Sequence, residues 1–322
     1  MNTTSCQSIS FDFGGKFLPP VYILVFIIGL GANGWGLRSM QRNWTKLGNV
    51  NIFVLNLGLA DILYLLTLPF LMVYHFMKSN WIFGDAFCKV TRFFFNMNLY
   101  GSIGFLTCIS VYRYLSIVYP MRMKGRITVT HSVAISVMVW LLVSVQCVPD
   151  MFFVKTKYKN NTATCYETTT MDHVEEYLKY SLGRTITGFC IPFLIILGCY
   201  GHVIVVLCRT NTIEKVLKQR SLKLLFILIL LFSVCYIPYH VLKNLNLWSR
   251  VLAKLNKCSE WSNKVYISHQ LSRGLVCLNS ALNPLVYLHV NEDIITQLRQ
   301  FFQRARQAVT RLSFASSQAH VV

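Results

Sequence analysis

Charged residues along this chain are spaced so that apolar stretches of similar length run between them: Phe17 to Leu37, Phe93 to Tyr112, Ile127 to Pro149, Thr185 to Cys208, Leu224 to Leu242 and Gly274 to Asn291. Each is close to the ~20 residues a helix needs to cross a bilayer. A further stretch, Leu47 to Met77, is apolar except for a lone carboxylate, Asp61, in its middle. Backbone groups in hydrocarbon must be satisfied within their own segment, so these stretches predict an all-α membrane protein, a seven-transmembrane helix bundle, rather than a barrel. Near the end of the chain Ile294, Ile295, Leu298, Phe301 and Phe302 recur at helical spacing beside Arg299, Arg304 and Arg306. That pattern predicts a short eighth helix lying on an anionic lipid surface. The expected division is an N-terminal segment over residues 1–16, one seven-helix domain over 17–290, and an interfacial helix with a tail over 291–322.

Composition agrees with a membrane setting. Of 322 residues 54% are hydrophobic and 13% charged, roughly half the charged share of a soluble domain, which argues against a soluble enzyme. The net charge is +19, so nucleic acid, anionic lipid and an anionic ligand all come into view. The basic residues are dispersed, which disfavours a nucleic acid polymer. If the N-terminus faces outward, the inner half holds 16 of the 31 Lys and Arg residues and the outer half the remaining 15, so the positive-inside rule barely decides the orientation. The sequons at Asn2 and Asn160 fall in segments that would then be extracellular. Of 11 Cys, four (Cys6, Cys88, Cys165 and Cys258) would lie outside, an even set that in an oxidising compartment implies two disulfides. A large basic set on the outer side is poorly explained by topology alone and calls for an anionic extracellular ligand.

Polar residues within the stretches carry further information. Asp61 sits near mid-membrane, where an unpaired carboxylate is costly. Asn33, Asn98, Ser102, Asn279 and Asn283 lie at similar depth and offer oxygen ligands for a small hard cation such as sodium, or a water network. Polar packing between helices is the alternative. Pro192, Pro238 and Pro284 fall inside the fifth, sixth and seventh stretches, where each removes a backbone hydrogen bond and bends its helix.

These residues together resemble the rhodopsin-like G-protein-coupled receptors over essentially the whole chain. The resemblance is carried by Asn33 in GANG, Asp61 in LNLGLAD, Arg113 in YRY, Trp140, Pro192 with Tyr200, Phe232 and Pro238 in FSVCYIP, where Tyr236 stands at a position that is tryptophan in many such receptors, and Asn283-Pro284-Leu285-Val286-Tyr287. Tyr112 stands where an acidic residue usually precedes the arginine. Within that group WIFGDAFCKVTRF, TCYETT and YIPYHVLKNLNLWSR are similar to segments of the metabotropic purinergic nucleotide receptors, most closely the ADP-responsive kind. The resemblance implies no catalysis, a multi-pass plasma-membrane receptor with an extracellular N-terminus, and disulfides Cys88–Cys165 and Cys6–Cys258. It also implies a heterotrimeric G protein as partner, with Arg113, Tyr200 and Tyr287 forming its docking surface and phospholipase C with calcium downstream. Arrestin, receptor kinases acting on a serine-bearing tail, and membrane lipids are further expected partners.

Spacing supports the ligand site that this resemblance implies. His240, Lys243, Asn246 and Arg250 are three, three and four residues apart, and Tyr266, His269 and Arg273 three and four apart, so each set shares one helix face. Arg92 follows Cys88 by four residues, so the implied disulfide would draw the TCYET loop over the same mouth. Arg92, Lys243, Arg250 and Arg273 are expected to converge on phosphates, Arg by bidentate contacts and Lys as a point charge. Tyr100, Tyr266 and His269 are placed to meet a base or ribose. Glu167 and Asp172 are expected to form a gate in which Asp172 pairs with Arg250. A receptor for another small anion such as a dicarboxylate uses the same cations. A transporter is remote, since the charges stop at the outer third and no repeated halves are visible.

Overall fold

A computed structural model of the chain describes residues 12–42, 48–123, 127–159, 162–209, 223, 226–257, 261–286, 303 and 306–307. Asn2, Cys6, Asn160, Cys258, Tyr287 and the tail serines fall outside the described residues, as does the expected eighth helix apart from Gln303, Arg306 and Gln307, which are helical.

Seven membrane helices are present among the described residues. The first covers Asp12–Arg42, the second Asn49–Leu65 continued by Leu68–Phe76, the third Gly84–Val118 and the fourth Val129–Cys147 with a 3-10 turn at Val148–Met151. The fifth comprises Val174–Thr185, a π-helical turn at Ile186–Cys190 and Ile191–Arg209. The sixth comprises residues 226–231, a π-helical turn at Phe232–Tyr236 and Ile237–Lys254, and the seventh is Ser262–Leu282. The first six are apolar enough to count as spans by composition alone. The seventh carries Lys264, His269 and Arg273, whose side chains interrupt its apolar run.

Several helices extend beyond the apolar stretches that predicted them. The third starts at Gly84 rather than Phe93, and the seventh at Ser262 rather than Gly274. Arg92, His269 and Arg273 are buried, and a charge pointing into the bundle interrupts the apolar run without ending the helix. The stretch Leu47 to Met77 is not one continuous helix. It breaks at Leu66–Thr67, just before Pro69, where the Thr67 hydroxyl donates to the Tyr64 carbonyl at 2.7 Å. The two π-helical turns end just before Pro192 and Pro238, whose missing N–H groups make a wider turn there less costly.

The bundle is apolar on its outer surface as well as in its core, and a minority of polar residues is buried within it. Ile27, Ile28, Leu142 and Val145 face outward, as lipid-facing residues should, while Asn33, Asp61, Asn98, Ser102, Asn279 and Asn283 are buried. The fourth helix turns Ser132 and Ser136 inward, small residues that allow close approach of its backbone to its neighbours. The third helix lies at the centre, packed on the second, fourth and fifth, and the first closes the ring against the second and seventh. The Asn33 amide donates to the Ser280 carbonyl at 2.8 Å, joining the first and seventh helices.

One hairpin covers the outer end. Strand β1, Thr156–Lys159, pairs antiparallel with β2, Thr162–Cys165, with Thr156 opposite Cys165. A disulfide ties Cys165 to Cys88 on the third helix, as the family resemblance implied. The Ala163 N–H donates to Asn80 Oδ1 at 2.9 Å, and the Trp81 N–H to the Ala163 carbonyl at 2.7 Å.

The fifth helix comes close to the third and fourth at Gly188, where an added Cβ would sit 2.6 Å from Tyr100 Cδ1 and 2.7 Å from Gln146 Oε1. Gly188→Ala is therefore expected to displace Tyr100 and cost about 1–3 kcal/mol of stability. Thermal unfolding of the solubilised protein checks this, and an unchanged midpoint would contradict so close an approach.

Candidate functional site

The outer ends of the helices enclose a cavity of about 320 Å³. The third helix contributes Arg92, the sixth Asn246 and Arg250, and the seventh Tyr266, His269 and Arg273, while the segment after β2 contributes Tyr166, Glu167 and Thr168. Seven of the residues singled out from spacing and resemblance thus meet in one place. Tyr100, His240, Lys243 and Asp172 do not line the cavity. Tyr100 and His240 lie deeper, with their rings 5.7 Å apart, and Lys243 stands behind Tyr239, its Nζ 5.6 Å from that ring.

Glu167 occupies the centre of the charge. One oxygen lies 3.2 Å from Arg273 Nε, and the other accepts from the Tyr239 hydroxyl at 2.7 Å and lies 3.8 Å from His269 Nε2. The Arg273 contact is an ion pair without hydrogen-bond alignment. Burial alone would raise the affinity of Glu167 for a proton. Arg273 first, then His269 and Lys243, overcome that effect and hold the carboxyl well below the usual carboxylate range.

The remaining arginines use neutral oxygens. Arg92 Nη2 donates to the Cys165 carbonyl at 3.0 Å. Arg250 donates to Thr168 Oγ1 at 2.8 Å and to the Thr169 carbonyl at 2.6 Å. The expected Asp172–Arg250 pair is therefore not formed: Asp172 offers its main-chain carbonyl to Lys254 Nζ at 2.8 Å. The chain turns at threonine-rich residues 168–170 so that Thr168 and Thr169, rather than the Asp172 carboxylate, meet Arg250. The cavity is thus lined by three guanidinium groups and one carboxylate, and of the three Arg273 is the one paired with it.

Residues 39–287 match the family described as 7 transmembrane receptor (rhodopsin family). The chain belongs to that family. It is also 40% identical to the Y-type purinoceptor 1 of Mus musculus over 315 residues, covering 98% of this chain and 83% of that receptor. Its identity to the Homo sapiens purinoceptor 1 of the same type is likewise 40% over 315 residues, with the same coverage. It is 35% identical to the Y-type purinoceptor 4 of Xenopus laevis over 312 residues, covering 94% of this chain and 57% of that receptor. The protein is a membrane receptor and not an enzyme.

Deeper in the receptor, Asp61 accepts from Asn98 Nδ2 at 2.8 Å and from Asn283 Nδ2 at 3.0 and 2.9 Å. The Ser280 hydroxyl donates to Asn98 Oδ1 at 3.1 Å. Asn279 Nδ2 donates to the Tyr236 hydroxyl at 2.5 Å. Asn279 Oδ1 and Asn283 Oδ1 are buried without a hydrogen-bond partner, and Ser102 Oγ, beside the Tyr236 hydroxyl, makes no well-formed hydrogen bond. The site therefore offers a carboxylate and several spare oxygens, the donor set a sodium ion takes.

Toward the inner end, the Tyr200 hydroxyl shares a 2.6 Å hydrogen bond with Ser110. Phe232 stacks on Phe193 with centroids 5.8 Å apart and lies 5.1 Å from Tyr236. The fifth and sixth helices are thereby joined at their π-helical turns, next to Pro192 and Pro238.

Sequence reasoning missed a second charged cluster. Asp150, just after Pro149, pairs with Lys155 at 3.1 Å and accepts from Asn96 Nδ2 at 2.9 Å and the Tyr177 hydroxyl at 2.7 Å. Lys155 also donates to the Thr168 carbonyl at 2.6 Å. Burial pulls the Lys155 ammonium below the usual lysine range, and Asp150 opposes that effect. The signal available in the chain was a carboxylate at the end of an apolar stretch with a lysine five residues on. Also missed were His75 and Tyr74 on the second helix and Gly14, Gly15 and Leu18 on the first, which close the cavity. No charge or spacing distinguishes them from ordinary packing.

Proposed function

We propose that the receptor is activated by an extracellular nucleotide whose phosphates take the place of Glu167 among Arg92, Arg250 and Arg273, and that it signals through a heterotrimeric G protein. Its family and its similarity to purinoceptors support the receptor class and the nucleotide ligand. The observation that carries the reading is the meeting of three arginines with a single carboxylate in one cavity. Guanidinium groups so crowded repel one another, and two or three phosphates supply the missing negative charge through charge-assisted hydrogen bonds. Tyr266 and His269 border the same space and suit the base and ribose.

The protein is a multi-pass receptor of the plasma membrane. The disulfide lies at the cavity end of the bundle, and disulfides persist in oxidising compartments. That supports an extracellular cavity and an extracellular N-terminus. Entry of the ligand breaks the Glu167–Arg273 pair and frees Tyr239 on the sixth helix. The bend at Phe232–Tyr236 then lets the inner half of that helix swing away from Tyr200 and Arg113, opening a G-protein docking surface. Phospholipase C and calcium are the expected outputs. Ser313, Ser316 and Ser317 suit receptor kinases and arrestin, and the basic residues near Arg299 suit membrane lipid.

Intracellular calcium in cells expressing the receptor, challenged in turn with ADP, ATP, UDP, UTP and succinate, tests the ligand. A response to nucleotides is expected. A response to succinate alone would transfer the site to dicarboxylates.

A sodium ion at Asp61, Ser102, Asn279 and Asn283 is proposed to stabilise the resting state. Replacing choline chloride with sodium chloride at constant ionic strength is expected to lower agonist affinity on the order of 5-fold. Asp61→Asn should abolish that difference, and equal sodium dependence in both proteins would remove the assignment.

A further inference from the structure

Behind the outer cavity lies a set of cations with too few anions. Arg184 on the fifth helix is buried, its Cζ 5.0 Å from the Tyr100 ring and 4.8 Å from the Tyr180 ring. Its Nη1 donates to the Tyr180 hydroxyl at 3.1 Å, while Nε and Nη2 make no well-aligned hydrogen bond and have, among the described residues, only the Tyr100 hydroxyl and the Cys147 thiol within reach. Both of those side chains are neutral at physiological pH. His240 faces the same Tyr100 ring, stacks on Phe189 at 4.4 Å, and leaves its Nε2 without a partner. Lys243, one turn further along the sixth helix, is also buried.

Asp150 is the carboxylate within electrostatic reach of Arg184, and Lys155, Asn96 and Tyr177 already occupy its oxygens. Neither Arg184 nor Lys243 forms an ion pair with a carboxylate among the described residues. A buried guanidinium with open N–H groups is costly unless an anion completes it. Arg, Lys and a His N–H together make a donor set suited to a phosphoryl group. Tyr239 separates this set from the outer cavity, with its hydroxyl on Glu167 and its ring 5.5 Å from His240.

We propose that Arg184, with Lys243 and His240, forms a second anion subsite behind Tyr239 that takes the terminal phosphate of a nucleoside triphosphate, the inner phosphates staying on the outer arginines. The proposal rests on the nucleotide reading of the outer cavity. Displacement of Glu167 from Tyr239 frees that side chain to move aside and brings the outer cavity into contact with the buried cations. The chain therefore discriminates triphosphates from diphosphates, and Arg184 is the residue that determines this specificity.

Purified wild-type receptor, Arg184→Gln and Arg184→Lys are titrated with ATP, ADP and inorganic triphosphate, with the thermal unfolding midpoint as readout. In Arg184→Gln the apparent affinity for ATP is expected to fall on the order of 10- to 100-fold more than that for ADP, and Arg184→Lys to recover part of the difference. Parallel losses for ATP and ADP, or no loss, overturn the subsite. If Arg184→Gln does not fold, the lysine variant decides: a loss selective for ATP supports the subsite, and a parallel loss or none removes it. If wild type ignores nucleotides but inorganic triphosphate stabilises it in an Arg184-dependent way, the subsite stands and the nucleotide reading falls. If nothing stabilises wild type, both fall.

Discussion

Arg273→Ala is expected to reduce nucleotide potency about 100-fold or more in a calcium assay at matched surface density. Loss of one charge-assisted contact to a phosphate amounts to ~1.5–3 kcal/mol, and each 1.4 kcal/mol is about tenfold. A second effect acts in the same direction: Glu167, 3.2 Å from Arg273 Nε in the intact protein, would face the phosphates without its partner. Glu167→Gln combined with Arg273→Ala should therefore recover part of the loss. Nucleotide responses unaffected by Arg273→Ala would exclude the cavity as the binding site. The same ion pair should withstand mild acid. Its carboxyl is held below the ordinary range, so its stabilising contribution is complete above the unfolded carboxylate value of about 4.3 and fades only as pH falls below that.

Removing Lys155 should damage the folded protein rather than ligand recognition alone. Lys155→Ala leaves Asp150 buried with two neutral donors, Asn96 and Tyr177, and breaking a buried pair from one side costs about 3–5 kcal/mol. It also frees the Thr168 carbonyl and with it the segment carrying Glu167. Low surface expression and a lowered unfolding midpoint are expected. Asp150→Asn with Lys155→Met should restore most of both, because neither residue then carries an uncompensated charge. Normal expression of the single variant would show that the pair contributes little.

The two variants address sites that are unequally visible in the chain. The outer arginines and the histidine at 269 can be found because helical periodicity places residues three and four apart on one face, whatever surrounds the helix. The Asp150 cluster cannot be found that way. It joins residues from the third, fourth and fifth helices and the segment before β1, and no local pattern links Asn96, Asp150, Lys155 and Tyr177. The early start of the seventh helix has a related cause: by composition a charge ends an apolar span, whereas Arg273 points into the bundle beside Glu167.

By itself the sequence determined the membrane setting, the bundle of seven helices, the buried polar set around Asp61 and the outer basic faces, because apolar length and helical spacing are local properties. Only the tertiary structure decided that Glu167 rather than Asp172 meets the cations, that Arg250 binds Thr168 and Thr169, and that Lys243 lies with Arg184 behind Tyr239. Those outcomes depend on the path of a loop tied down at Cys88 and on which buried groups reach each other across helices, and in a low-dielectric interior a shift of a few ångströms changes which charge pairs form.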